Sequence, residues 1–100
     1  MKLGILVNTD KCFQALSGIT RAASDKGHEV TIFAMDEGTR LLEDPECLSL
    51  SGLARVSMSY CDHSAIELGV NKEGVPEAIE RSSQYNNAAM NHNADKVIVL

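Results

Sequence analysis

Residues 2–8 read KLGILVN, apolar at consecutive positions and closed almost at once by turn-prone residues. A run this short fits a strand better than a helix, and unbroken apolarity without alternation marks a strand covered on both faces. Such a strand needs packed layers above and below it. One segment therefore already points to helices flanking a parallel sheet.

The rest of the chain keeps the same alternation. Phe13, Leu16, Ile19, Ala22 and Ala23 recur at three- and four-residue spacing, as one face of an amphipathic helix does. Thr9 or Asp10 can cap that helix, and Lys26-Gly27 can end it. Glu29 to Met35 forms the second strand, followed by a turn at Asp36-Glu37-Gly38 and a short helix over Thr39 to Leu42. Pro45, suited to a first helical position, opens another helical turn through Leu50. Ala54 to Tyr60 sets Val56, Met58 and Tyr60 against Arg55, Ser57 and Ser59 and reads as the third strand. Asp62 to Leu68 is a short helix stopped by Gly69. Helices are expected again near Glu77 to Ser82 and over Tyr85 to His92, before a last strand within Ala94 to Leu100. The expected architecture is a single α/β domain over 1–100, a flavodoxin-like three-layer sandwich. Its sheet is mainly parallel, of four strands or five, with the first strand central.

Composition narrows the function. The chain has 100 residues, 44% of them hydrophobic and only 4% aromatic, so its core must be built from aliphatic side chains and methionine. A domain this small buries a limited share of its surface, and association with copies of itself is expected. The formal net charge is -5 and no Lys/Arg cluster occurs, which argues against nucleic acid as a partner. No apolar run is long enough to span a bilayer, and no secretory leader is apparent, so a cytoplasmic protein is expected. Cys12, Cys47 and Cys61 are three in number and show no paired spacing; free thiols fit better than a disulfide framework.

Ligands of open parallel sheets gather beyond the carboxyl ends of the strands. Three segments land there: Asn8-Thr9-Asp10, Met35-Asp36-Glu37 and Tyr60-Cys61-Asp62-His63-Ser64. Cys61, read as an exposed thiol, falls between a strand and a helix, where unpaired backbone N–H groups favour an anion and a thiol tends toward thiolate. His63 can add positive charge or move a proton, and Ser64 can donate a hydrogen bond to the sulfur. Asp62 opposes a second negative charge and is placed as the helix cap. The competing reading makes Cys61 a small buried residue, since free cysteine is among the most buried types. Cys12 either packs beside Phe13 and Leu16 or approaches Cys61 as a redox pair, if the strands that carry them are neighbours.

Other chemistries are less well served. Cys61 and His63 with His28 or His92 lack the spacing of a metal site, so no metal is expected. LVNTDKCF after the first strand has no glycine, which removes a nucleotide or flavin phosphate loop; no cofactor is expected. The polar stretches Tyr85-Asn86-Asn87 and Asn91-His92-Asn93 are either a solvated helix or the amide-lined wall of a site.

With these residues in view, the chain resembles the DsrE/DsrF-like family. The resemblance rests on KLGILVN, KGHEVTIFAMDEG, VSMSYCDHSAIELGV and the closing ADKVIVL, and it covers essentially the whole chain. It implies a flavodoxin-like sheet and assembly into trimers or hexamers, with sulfur donor and acceptor proteins as partners. In the sulfur-relay members, the cysteine matching Cys61 carries sulfane sulfur as a persulfide. The expected function is thus a cysteine-based sulfur carrier or sulfurtransferase of intracellular sulfur metabolism, with Cys61, His63 and Ser64 as its catalytic group. The alternative is a module without chemistry, binding a small molecule or partner along the edge lined by Asn8, Asp10, Asp36 and Tyr60.

Overall fold

The computed structural model describes residues 1–100. Five strands form one sheet: β1 (Lys2–Val7), β2 (Glu29–Ala34), β3 (Val56–Cys61), β4 (Ile79–Ser82) and β5 (Lys96–Val99). Every neighbouring pair is parallel, and the order across the sheet is β4-β3-β2-β1-β5. Between the strands lie helices α1 (Phe13–Asp25), α2 (Pro45–Leu48), α3 (Asp62–Glu67) and α4 (Gln84–Asn93), with 3-10 segments at Asp36–Glu43 and Ser49–Gly52. The parallel α/β sandwich expected from the sequence is the observed architecture.

Connectivity places the layers. From β1 to β4 the chain steps in one direction across the sheet, so right-handed crossovers put α1, α2, α3 and both 3-10 segments on one face. The step from β4 back to β5 runs the other way and carries α4 to the opposite face. Packing agrees with this. The main core joins Leu3, Ile5, Val7, Val30 and Ile32 of the strands to Leu16, Leu41 and Ala65 of the first layer. On the other face Phe33, Cys61 and Met90 form a separate small cluster, with Leu6 and Met35 against it. Gly4 permits this second layer, because a Cβ there would lie 2.9 Å from Met90 Cγ.

Two expectations need correction. Glu77 to Ser82 is not a helix: Ile79–Ser82 is the edge strand β4, paired with Met58–Cys61. Its single apolar residue, Ile79, enters the main core beside Met58, while Glu80 and Arg81 stay exposed. One inward side chain gives no periodicity to read, and β3 supplies the hydrogen bonds that decide the conformation. The middle strand is β2, with β1 beside it, because the crossover through α4 returns to the far side of β1.

Gly38 closes the 3-10 segment onto the end of β1. A Cβ at this position would stand 2.1 Å from the Val7 carbonyl oxygen, a backbone atom that no rotamer change can move away. Gly38→Ala is expected to cost about 1–3 kcal/mol, as overpacking does. A urea midpoint equal to that of wild type would refute this account of the contact.

Candidate functional site

Cys61 is the last residue of β3, at the carboxyl edge of the sheet, and Asp62 begins α3. The pleat sends alternate side chains to opposite faces. Tyr60 therefore belongs to the main core, and Cys61 turns toward α4, against Phe33 and Met90. The expectation of an exposed thiol is corrected here: Cys61 is 4% exposed, because the first turn of α4 and the Phe33–Met90 cluster cover that face.

Two opposing effects act on the Cys61 thiol. Burial pushes its pKa up, but hydrogen bonds outweigh burial and hold it below the ordinary cysteine value. These come from the Ser64 hydroxyl, the Ser64 backbone N–H, the Gln84 side-chain amide and the His63 backbone N–H. Donors aimed at sulfur favour the charged form. Cys47 is the contrast: it is 3% exposed in the main core, and burial together with nearby Asp44 pushes its thiol up to about 12.

The other expected site residues are distributed as follows. Ser64, in the first turn of α3, is buried and is among the groups that lower the Cys61 pKa. The His63 ring does not: it is solvent-exposed, with Nε2 3.1 Å from Glu67 Oε1, one turn along α3. Only its backbone serves the thiol. Asp62 is not the cap of α3, since Cys61 holds that position without a side-chain bond; the Asp62 carboxylate accepts from Lys72 Nζ at 2.5 Å. That ion pair, which no local pattern signals, offsets the negative charge next to Cys61. Asp36 follows β2 with φ 49, and its carbonyl accepts from the Thr39 hydroxyl at 2.8 Å. It shares a depression of about 240 Å³ with Ser64 and Glu67, so this edge of β2 does meet the Cys61 segment.

Asn8 and Asp10 lie further off, beyond the end of β1. The Asn8 N–H donates to the Leu100 carbonyl at 2.7 Å, and its buried Oδ1 has no partner. Tyr60, buried on the opposite face from Cys61, is a core residue; burial raises its pKa, with Lys72 and Arg81 opposing and Asp62 assisting. Cys12 and Cys61 are both free thiols; Cys12 stands at the start of α1, and β2 lies between β1 and β3. The element after Cys12 also packs on the opposite face from the Cys61 cluster.

No group of three or more His, Cys, Asp or Glu side chains gathers to hold a metal ion, and His28 stands beside the N-terminal amine at 3.1 Å. No helix is long and apolar enough to cross a membrane. The Asn-rich helix α4 divides its polar residues. Asn86 and Asn93 line a groove of about 340 Å³ with Thr31 and Ser59, toward the amino ends of the strands, whereas Gln84, at the carboxyl end, directs Nε2 at Met35 Sδ beside the Cys61 cluster and helps to lower the Cys61 pKa. Gln84 is the site residue that sequence reasoning missed. Its only signal was membership of a polar helix, which says nothing about what that helix covers.

No family model matches the chain, and no curated protein matches it in sequence. Solved structures do match in shape. The ychN protein of E. coli superposes with a TM-score of 0.78 at 14% identity, covering 100% of both chains. BT1422 of Bacteroides thetaiotaomicron gives 0.79 at 16% identity, over 99% of this chain and 94% of its own. MTH1491 of Methanobacterium thermoautotrophicum gives 0.72 at 14% identity, over 99% and 98%. The last two are described as proteins of unknown function. At these identities the likeness is one of fold: a small α/β protein spanned from end to end.

Proposed function

We propose that this chain is a DsrE/DsrF-like sulfur carrier or sulfurtransferase of intracellular, cytoplasmic sulfur metabolism, with Cys61 holding the sulfur as a persulfide. The observation that carries this reading is the place of Cys61 at the carboxyl edge of the sheet, directly before the first turn of α3; a pKa held low by Ser64, Gln84 and the His63 backbone supports it. A thiolate is the attacking form in sulfur exchange.

The step balances without an oxidant. The Cys61 thiolate attacks the terminal sulfur of a donor persulfide, forming a new S–S bond as the donor's S–S bond breaks and its thiolate departs. The product is Cys61–S–SH. An acceptor thiolate then attacks the outer sulfur, and Cys61 leaves as thiolate. Ser64 orients the sulfur in both steps. The proton-moving role expected of His63 is not retained, because its ring faces solvent beside Glu67. Donor and acceptor are proteins that reach the edge between α3 and the start of α4. Assembly of copies into a trimer or hexamer accompanies this reading; Val97 and Val99, 37% and 59% exposed on β5, offer apolar surface for it.

Intact-mass spectrometry after incubation with a persulfide donor tests the proposal. Wild type should gain about 32 Da, reversed by reductant, and Cys61→Ser should gain nothing at that site. Equal uptake by both proteins would end the proposal. One observation favours a second reading, a binding or assembly module: Cys61 is almost fully covered, while the groove beside Asn86 and Asn93 is open. That reading predicts no sulfur adduct on either protein and partner or ligand binding unchanged by Cys61→Ser.

A further inference from the structure

Three amide side chains of α4, Gln84, Asn87 and Asn91, occur at i, i+3 and i+7 and so lie along one side of the helix. They are joined in series. Asn91 Nδ2 donates to the Asn87 backbone carbonyl at 2.8 Å and to Asn87 Oδ1 at 2.8 Å. Asn87 Nδ2 donates to Gln84 Oε1 at 3.0 Å. Gln84 Nε2 then points at Met35 Sδ, 3.7 Å away, and Met35 packs on the cluster that holds Cys61.

The series has a definite direction. A backbone carbonyl only accepts, so the end of Asn91 that faces it must be the amino group. The same amino group meets Asn87, whose oxygen must therefore be the near end, leaving its own amino group for Gln84. Gln84 then has its oxygen occupied and its amino group free. The free end of the ladder is a donor, and it faces Met35 Sδ, which packs on the cluster that holds Cys61.

We propose that Gln84 is a positioning residue for Cys61, its amide held by Asn87 and Asn91 so that an N–H, never the carbonyl oxygen, is presented to the thiolate. This rests on the reading of Cys61 as a reactive thiol, though it does not require that the thiol accept sulfur. The ladder gives α4 a role its composition alone does not suggest: a polar helix whose amides are oriented for one atom. The donor contributed by Gln84 also fits the lowering of the Cys61 pKa described above.

The test is the pH titration of Cys61 in a Cys12→Ser, Cys47→Ala background, followed by alkylation rate and by ultraviolet thiolate absorbance. The absorbance reads ionisation whether or not a reagent reaches the sulfur. Gln84→Met keeps the length of the side chain and removes the donor; the midpoint should rise by about half a pH unit to one unit. Asn87→Asp leaves only acceptors beside Gln84, so its amide must turn and aim the oxygen at the sulfur; the rise should be at least as large. Ala88→Asp adds the same charge off the ladder, on an exposed position, and should move the midpoint by no more than about 0.2 units in moderate salt. A merely structural role would instead change the alkylation rate at every pH with the midpoint fixed. That result, or equal shifts for Asn87→Asp and Ala88→Asp, would overturn the proposal. Failure of the sulfur-carrier reading would show separately, as a titrating Cys61 that gains no sulfur.

Discussion

Phe33→Ala is expected to destabilise the protein by about 3–5 kcal/mol, the usual cost of deleting a buried phenyl ring. Phe33 is fully buried, and it is the largest side chain in the small cluster between the sheet and α4. That face has one helix and few apolar residues. Apart from Met90, the side of α4 facing the sheet offers little to close a cavity, so the site should collapse poorly. Folded domains hold only about 5–15 kcal/mol in total, so a loss of this size is a large share of the whole. Urea unfolding followed at constant m reads it directly. A loss below about 1 kcal/mol would show that α4 does not pack on the sheet as described. Tyr85→Ala is the comparison: Tyr85 is 77% exposed on the same helix, and removing it should change stability by no more than about 0.5 kcal/mol. Phe33→Ala should also loosen the packing against Cys61 and speed its alkylation.

The second large effect is the contrast between two buried thiols. Cys47 and Cys61 are almost equally covered, at 3% and 4% exposure, yet their chemistry should differ widely. With its pKa pushed up to about 12, Cys47 has about one thiolate in ten thousand at pH 8. Cys61 titrates below the ordinary cysteine value because donors from Ser64, Gln84 and His63 overcome burial. In native protein at pH 8, Cys61 should therefore be alkylated more than about 100 times faster than Cys47. As pH falls through the Cys61 pKa the thiolate is lost and its rate should fall, while Cys47 stays silent until the chain unfolds. Peptide mapping after timed labelling measures both sites at once. Comparable rates for the two thiols would mean that cover, not ionisation, controls Cys61, and would favour the binding-module reading.

Both expectations depend on features with different degrees of legibility in the sequence. The apolar run at β1, the spacing of Phe13, Leu16, Ile19 and Ala23 on α1, and the placement of Cys61 at the end of a strand follow from local patterns, though Ala22, read onto the same helix face, is exposed. A strand or an amphipathic helix shows itself in the order of nearby side chains, because its period is a property of the backbone itself. The parallel α/β class followed from those periods alone, and so did the presence of a cysteine at the sheet's carboxyl edge. The Ser64 contact was also readable, since a residue three positions past a strand end returns to it on the first helical turn.

What tertiary structure decided lay in partners distant along the chain. Ile79–Ser82 is a strand only because β3 offers it an edge. β1, which precedes Cys12, and β3, which ends in Cys61, are not neighbours because β2 pairs between them, an outcome of crossover direction that no spacing encodes. Lys72 neutralises Asp62 from ten residues away, and Gln84 reaches Cys61 only because the return crossover lays α4 over that face. Local periodicity specifies how a segment is folded and which side is apolar. Which segment covers it, and so whether a thiol meets solvent, a carboxylate or an amide, is set by the packing of the whole chain.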